Sequence, residues 1–248
     1  MSGRTNITPV SHAQFQTTHW SVVLAAGQDG TAGANQALES LCADYWYPIY
    51  AWLRRQNHSS HDAQDLTQSF LVHLLDGHRL QTVHPDKGRF RSFLLASLKN
   101  YLANERDRAH ALKRGGQYQF VSVDETEGEA RLAREPVAPG RTPDRAFEQS
   151  WATTLLETVL AHLSEEYAAA GKTAVFEALR ECLSGDREAV SYRDMAARFQ
   201  LTESGIKMIV MRMRRRFGEL LRAEIARTVA RPEEVDEEIR SLFAAVSG

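Results

Sequence analysis

The chain has little cysteine. Its 248 residues contain two, Cys42 and Cys182, far apart and each set in a helix-like apolar pattern. Neither a disulfide framework nor a thiolate zinc site is indicated, and both read as small core residues. Long apolar runs are also missing. The unbroken stretches extend over a few residues, against the roughly 20 that a membrane helix needs, so no membrane span is expected. The amino-terminal stretch MSGRTNITPVSHAQFQTTHW has no apolar block of the kind a secretion signal requires. That predicts a cytoplasmic protein whose first residues, about a dozen, are disordered. Period-two alternation does not stand out anywhere, which argues against half-buried strands.

What is present is spacing of apolar residues by three and four along most of the chain, the pattern of an all-α fold. A composition of 43% hydrophobic and 25% charged residues is that of an ordinary globular protein. The length suits two small cores, each organising about 100 to 150 residues.

The formal net charge of −2 conceals an uneven distribution. From His84 to Tyr118 eight basic residues face three acids, and from Glu203 to Arg222 six face two. Between them, Val121 to Glu148 holds seven acids against four arginines, and six acids against three arginines lie from Ala223 onward. Two basic modules separated by an acidic connector are a pattern suited to a polyanionic partner. The connector carries Pro136, Pro139 and Pro143 with Gly128 and Gly140, a composition that breaks helices and rarely enters a core. The expected organisation is a disordered segment over 1–18, a helical domain over 19–118, a flexible acidic linker over 119–147, a second helical domain over 148–229 and a helical extension over 230–248.

In the first module Leu38, Leu41, Tyr45, Trp46, Ile49, Tyr50 and Leu53 form a helical stripe expected in the core. The stretch SSHDAQDLTQSFLVHLLDG follows. Ser60 is its expected cap, Asp62 suits its positive first turn and Gly77 can end it. Its buried side is Leu66, Phe70, Leu71, Leu74 and Leu75, with Gln64, Asp65, Gln68 and His61 outward. After a loop with VHPDKGR, the next helix places Phe90, Phe93, Leu94, Leu98, Tyr101 and Leu102 inward. Lys99, Asn100, Asn104, Arg106 and Arg108 are left for solvent or a polyanion.

In the second module Trp151, Leu155, Leu156, Val159, Leu160 and Leu163 make one amphipathic helix and Ala174 to Leu183 another. SYRDMAARFQLTESGIKMIVMRMRRRF then reads as helix, turn, helix. Ser191 with Asp194 makes a capping start, Ala196 allows a close crossing, and Thr202 caps the second helix. At about 100° per residue, Ile206, Ile209, Val210, Met213, Phe217, Leu220 and Leu221 share one arc. Ser204, Lys207, Met208, Met211, Arg212, Arg215 and Glu219 hold the other. A helix dry on one side and cationic on the other suits the DNA major groove.

This order of elements resembles the extracytoplasmic-function sigma factors of bacterial RNA polymerase. HDAQDLTQSFLVHLL is similar to that family's polymerase-docking helix, KGRFRSFLLASLKNYLANERDRA to the loop and helix that capture the opened minus-ten element, and the final helix, turn, helix to the region reading the minus-thirty-five element. The resemblance covers most of residues 35 to 228. It implies a sigma region-two domain, a linker and a region-four helix-turn-helix domain, with no catalytic role and no cofactor or metal. By resemblance Asp62, Gln64, Asp65 and Gln68 meet core RNA polymerase. Lys87, Arg89, Arg91, Lys99, Asn100 and Asn104 meet promoter DNA, with an extruded base held by the Pro85 to Ser92 loop. Ser204, Lys207, Met208, Met211, Arg212 and Arg215 would read the upstream duplex. An anti-sigma regulator is a further partner the resemblance allows. The chain departs from the family at Met208 and Met211, which cannot donate hydrogen bonds to bases, so reading there is either weak or directed at methyl groups. The extension TVARPEEVDEEIRSLFAAV lies outside the usual pattern, and Val235, Ile239, Leu242 and Phe243 predict one more amphipathic helix.

Two other readings remain open. His58, His61, Asp62 and Asp65 lie close enough in sequence to suggest a metal-dependent enzyme, although no distant ligand set accompanies them. A dimeric helix-turn-helix regulator acting on duplex operators without polymerase would explain the second module alone.

Overall fold

The three-and-four spacing is realised as helix among the described residues. The computed structural model describes residues 32–75, 89–111, 125–134, 142–184, 191–229 and 231–247, and these form nine α-helices with no strand among them. In chain order they are α1 (Ala32–Arg55), α2 (Ser60–Leu75), α3 (Phe90–Ala111), α4 (Glu125–Arg134), α5 (Pro143–Ala169), α6 (Thr173–Leu179), α7 (Tyr192–Phe199), α8 (Glu203–Thr228) and α9 (Val235–Ser247). Short 3₁₀ segments follow α6 and precede α9. No helix among the described residues is long and apolar enough to cross a membrane. The expected disorder at the amino terminus, the stop at Gly77, and the side chains of Leu38, Leu41, Leu75, Arg106 and Arg108 lie outside the described residues.

Aromatic residues tie the first three helices together. Tyr45, Trp46, Ile49, Tyr50 and Leu53 of α1 are buried. Tyr45 meets Phe90 of α3 edge-on at 5.4 Å between centroids, and Phe70 of α2 meets Tyr101 of α3 at 5.6 Å. Such pairs add about 0.5–1.5 kcal/mol beyond the area they bury. The cap of α2 lies one residue earlier than expected. Ser59 Oγ, not that of Ser60, accepts from the Asp62 backbone N–H at 3.1 Å, and Ser59 also donates to the Asp62 carboxylate at 2.7 Å.

The acidic connector contains a packed helix where a flexible linker was expected. Gly128 of α4 is buried so close to Tyr50 that a Cβ there would stand 3.2 Å from the ring. On one side of that contact Glu129 accepts from the Tyr50 hydroxyl at 2.5 Å and from Arg54 Nε at 2.6 Å. On the other, Arg131 lies over the Tyr47 ring and donates to Thr154 of α5. Missing side-chain bulk at Gly128 is what admits α4 to this surface. Pro136, Pro139 and Gly140 lie outside the described residues.

Two apolar clusters result, and their boundary differs from the expected one. The larger joins α1, α2 and α3 to Phe147, Trp151, Leu155 and Val159 of α5, to Leu221 and Ile225 of α8, and to Val235 and Leu242 of α9. The smaller gathers Leu163, Phe176, Leu179, Cys182, Ala196, Ile206, Val210 and Met213. The amino-terminal half of α5 therefore completes the first module, and only its far end belongs with α6, α7 and the start of α8. A continuous α5 carries the chain from one cluster to the other.

Candidate nucleic-acid interface

The turn between α7 and α8 is built from local chemistry. Ser191 Oγ accepts from the Asp194 N–H at 3.3 Å and starts α7. Gln200 then leaves the helix in the left-handed conformation, φ 54°, and the Leu201 N–H closes back on the Ala196 carbonyl at 2.9 Å. Thr202 Oγ1 accepts from the Gly205 N–H at 3.1 Å and starts α8. Three residues, Gln200 to Thr202, thus separate the helices, and buried Ala196 lets them cross closely.

Along α8, Ile206, Val210, Met213 and Leu221 are buried, with Ile209, Phe217 and Leu220 half-buried beside them. Ser204, Lys207, Met208, Met211, Arg212 and Arg215 are all exposed. The RMRRR run divides by role. Arg214 donates twice to the Cys182 carbonyl, at 2.6 and 3.0 Å, and so fastens α8 to the end of the smaller cluster. Arg216 donates to Glu166 of α5 and to Glu219, and these carboxylates hold its guanidinium well above its ordinary pKa. Arg215 shares Glu219 at 3.0 Å while staying open to water. Lys207 and Arg212 have no carboxylate partner among the described residues. Arg212 reaches only far enough for its charge to favour the Tyr167 phenolate, against the burial that raises that phenol's pKa.

The other expected DNA-contacting residues sit differently. Arg91 is 3% exposed, clasped between Glu148 of α5 at 2.5 Å and Glu238 of α9, with its guanidinium 4.3 Å above the Trp151 ring. Burial pushes its pKa down and Glu148 pulls it back. In this arrangement Arg91 is a core residue and does not reach a nucleic acid, a correction to its sequence-based role. Arg89 bridges to Glu237 at 3.1 Å and to Glu238 at 2.9 Å, and Lys99 to Asp144 at 2.6 Å. Asn100 and Asn104 are exposed on α3. Lys87 and residues 85–88 of the strand-holding loop lie outside the described residues.

On α2 the expected polymerase-facing residues share the outer side. Asp62 and Asp65 are exposed and Gln64 and Gln68 half-buried, while Ala63, Thr67, Phe70 and Leu71 face the core. Asp65 pairs with His61 at 3.1 Å. Among the described residues no three His, Cys, Asp or Glu side chains come together as a metal-binding group.

Sequence reasoning missed the acids that cover Arg89 and Arg91. The available signal was the complementarity of RFR with EEVDEE, which no local window brings together. It also missed Leu201, exposed in the turn that leads into the outer face of α8. No family model, no curated protein and no solved structure matches the chain.

Proposed function

We propose that this chain is a transcription initiation factor of the sigma type, which binds core RNA polymerase in the cytoplasm and directs it to particular promoters without catalysing a reaction itself. The observation that carries the reading is the outer face of α8, where Lys207 and Arg212 have no carboxylate partner among the described residues and stand beside Ser204 and Arg215. Such a face, held by a buried stripe and entered through a three-residue turn, supports a helix-turn-helix that lies in the major groove. Its cations supply the phosphate contacts that release counterions. Asp62, Gln64, Asp65 and Gln68 offer the polymerase a separate polar surface on α2. An anti-sigma regulator would compete for one of these surfaces.

Capture of the opened strand falls to Lys87, Asn100, Asn104 and, after exchange of Glu237 and Glu238 for phosphate, Arg89. Lys99 must likewise leave Asp144. The engagement of these cations by carboxylates favours one rival, a dimeric regulator that uses α8 alone on duplex operators. Mixing the full chain with core RNA polymerase separates the two. The sigma-type reading expects a stable complex and initiation at defined start sites. Operator binding by a dimer with no affinity for polymerase would replace it with the rival.

A further inference from the structure

Two large apolar side chains occupy the centre of the cationic face of α8. Met208 is 47% exposed and Met211 59% exposed, on the side of the helix away from its buried stripe of Ile206, Val210, Met213 and Leu221. They lie three residues apart on one side of the helix, so they stand about 4.5 Å apart along its axis. Lys207, Arg212 and Arg215 flank them, and Ser204 lies one turn before Met208. An apolar groove on a protein partner would have to strip water from these flanking cations. A polyanion with apolar groups between its phosphates would satisfy both.

The DNA major groove is such a surface. It is about 12 Å wide, takes a helix, and displays the thymine 5-methyl as its apolar group. An unbranched thioether has no donor for a base edge but follows an irregular apolar surface well. The axial spacing of the two methionines, about 4.5 Å, falls between one and two base-pair steps of about 3.4 Å each.

Resting on the duplex-binding reading above, we propose that Met208 and Met211 determine the sequence preference of this face by packing on thymine methyl groups of neighbouring base pairs. The flanking cations hold the phosphates and carry no sequence information. The preferred upstream element is therefore one with thymines at adjacent or next-adjacent positions, read by contact and not by hydrogen bonds.

The test starts from a pool of randomised duplex DNA, selected with the full chain alone and on core RNA polymerase. The selected duplex is then remade with deoxyuridine for thymidine, which removes the methyl and leaves every hydrogen-bonding group in place. Each methyl contacted is expected to be worth about fourfold in affinity, from ~0.8 kcal/mol per buried carbon. The double variant Met208→Ala/Met211→Ala, altered only at exposed positions, is expected to bind both duplexes alike while keeping its salt dependence. Equal binding of the two duplexes by the unaltered chain would overturn the methionine assignment and leave duplex binding standing. So would a thymine preference that survives in the double variant. Failure to enrich any duplex under either condition would overturn the assignment together with the reading it rests on.

Discussion

Arg91 and Glu238 face each other across the junction of α3 and α9 with 3% and 2% of their side chains exposed. A pair so far from water stabilises weakly when complete, but losing one member strands the other. Glu238→Ala is expected to cost about 3 kcal/mol, the lower end for a broken buried pair because Glu148 stays beside Arg91. Urea denaturation measures it. The double change Arg91→Met/Glu238→Leu should recover most of the loss, which a DNA-contacting role for Arg91 would not require.

Asp44 of α1 provides a pH signature. Burial raises its pKa from 3.8 to about 6, against the positive fields of Arg227 and His162, with Glu224 adding to the rise. The folded state then holds a proton that the unfolded chain releases near pH 4. Stability from this group is present in acid and is lost as pH rises toward 6. Asp44→Asn should remove that loss and stabilise the protein at pH 8 by about 1–3 kcal/mol. Denaturation midpoints of the two proteins at pH 4 and pH 8 should differ most at pH 8.

The turn before α8 holds two opposed local terms. Gln200 has φ 54°, a region costly for a residue with a Cβ. Gln200→Gly should raise stability by up to about 1 kcal/mol, its gain reduced by the freer unfolded chain. Thr202→Ala removes the cap on Gly205 and should cost about 1 kcal/mol. Thermal melts of both variants read the two signs.

Within RMRRR the substitutions should separate by readout. Arg212→Ala leaves the fold intact and weakens duplex binding, lowering the slope of log affinity against log salt by about 0.9 for one lost phosphate contact. Arg214→Ala deprives the Cys182 carbonyl of its two donors and should lower the melting temperature before it alters the salt slope.

Asp65→Ala should impair association with core RNA polymerase, since Asp65 is exposed and pairs with His61 of the same helix. Competition for core enzyme against the unaltered chain measures it. Undiminished competition would remove Asp65 from the docking surface.

Local chemistry was legible in the sequence, and long-range chemistry was not. Ser191, Thr202 and the arc from Ile206 to Leu221 follow from capping and helical period alone, and the structure places them as expected. Ser59 displaced Ser60 as a cap because adjacent serines present the same hydroxyl, and the register of the helix decides between them. The helix α4 is held by Gly128 under Tyr50 and Arg131 over Tyr47, contacts between segments that no local window compares. Arg91 was expected at DNA by the resemblance of KGRFRSFLLASLKNYLANERDRA to a strand-capturing loop and helix. Its burial depends on Glu148 and Glu238, both distant in sequence, and without them a cation could not enter a core.

The position of α9 also bears on how the chain is made. A ribosome that has delivered the chain as far as residue 229 has supplied Arg91 and its first carboxylate, Glu148, but not yet Glu238, nor Leu242 of the same apolar cluster. At roughly 5–20 residues per second, that interval leaves Arg91 with one of its two carboxylates and the larger apolar cluster without its last helix. Completion of the larger apolar cluster thus waits on the translation of codons near 240.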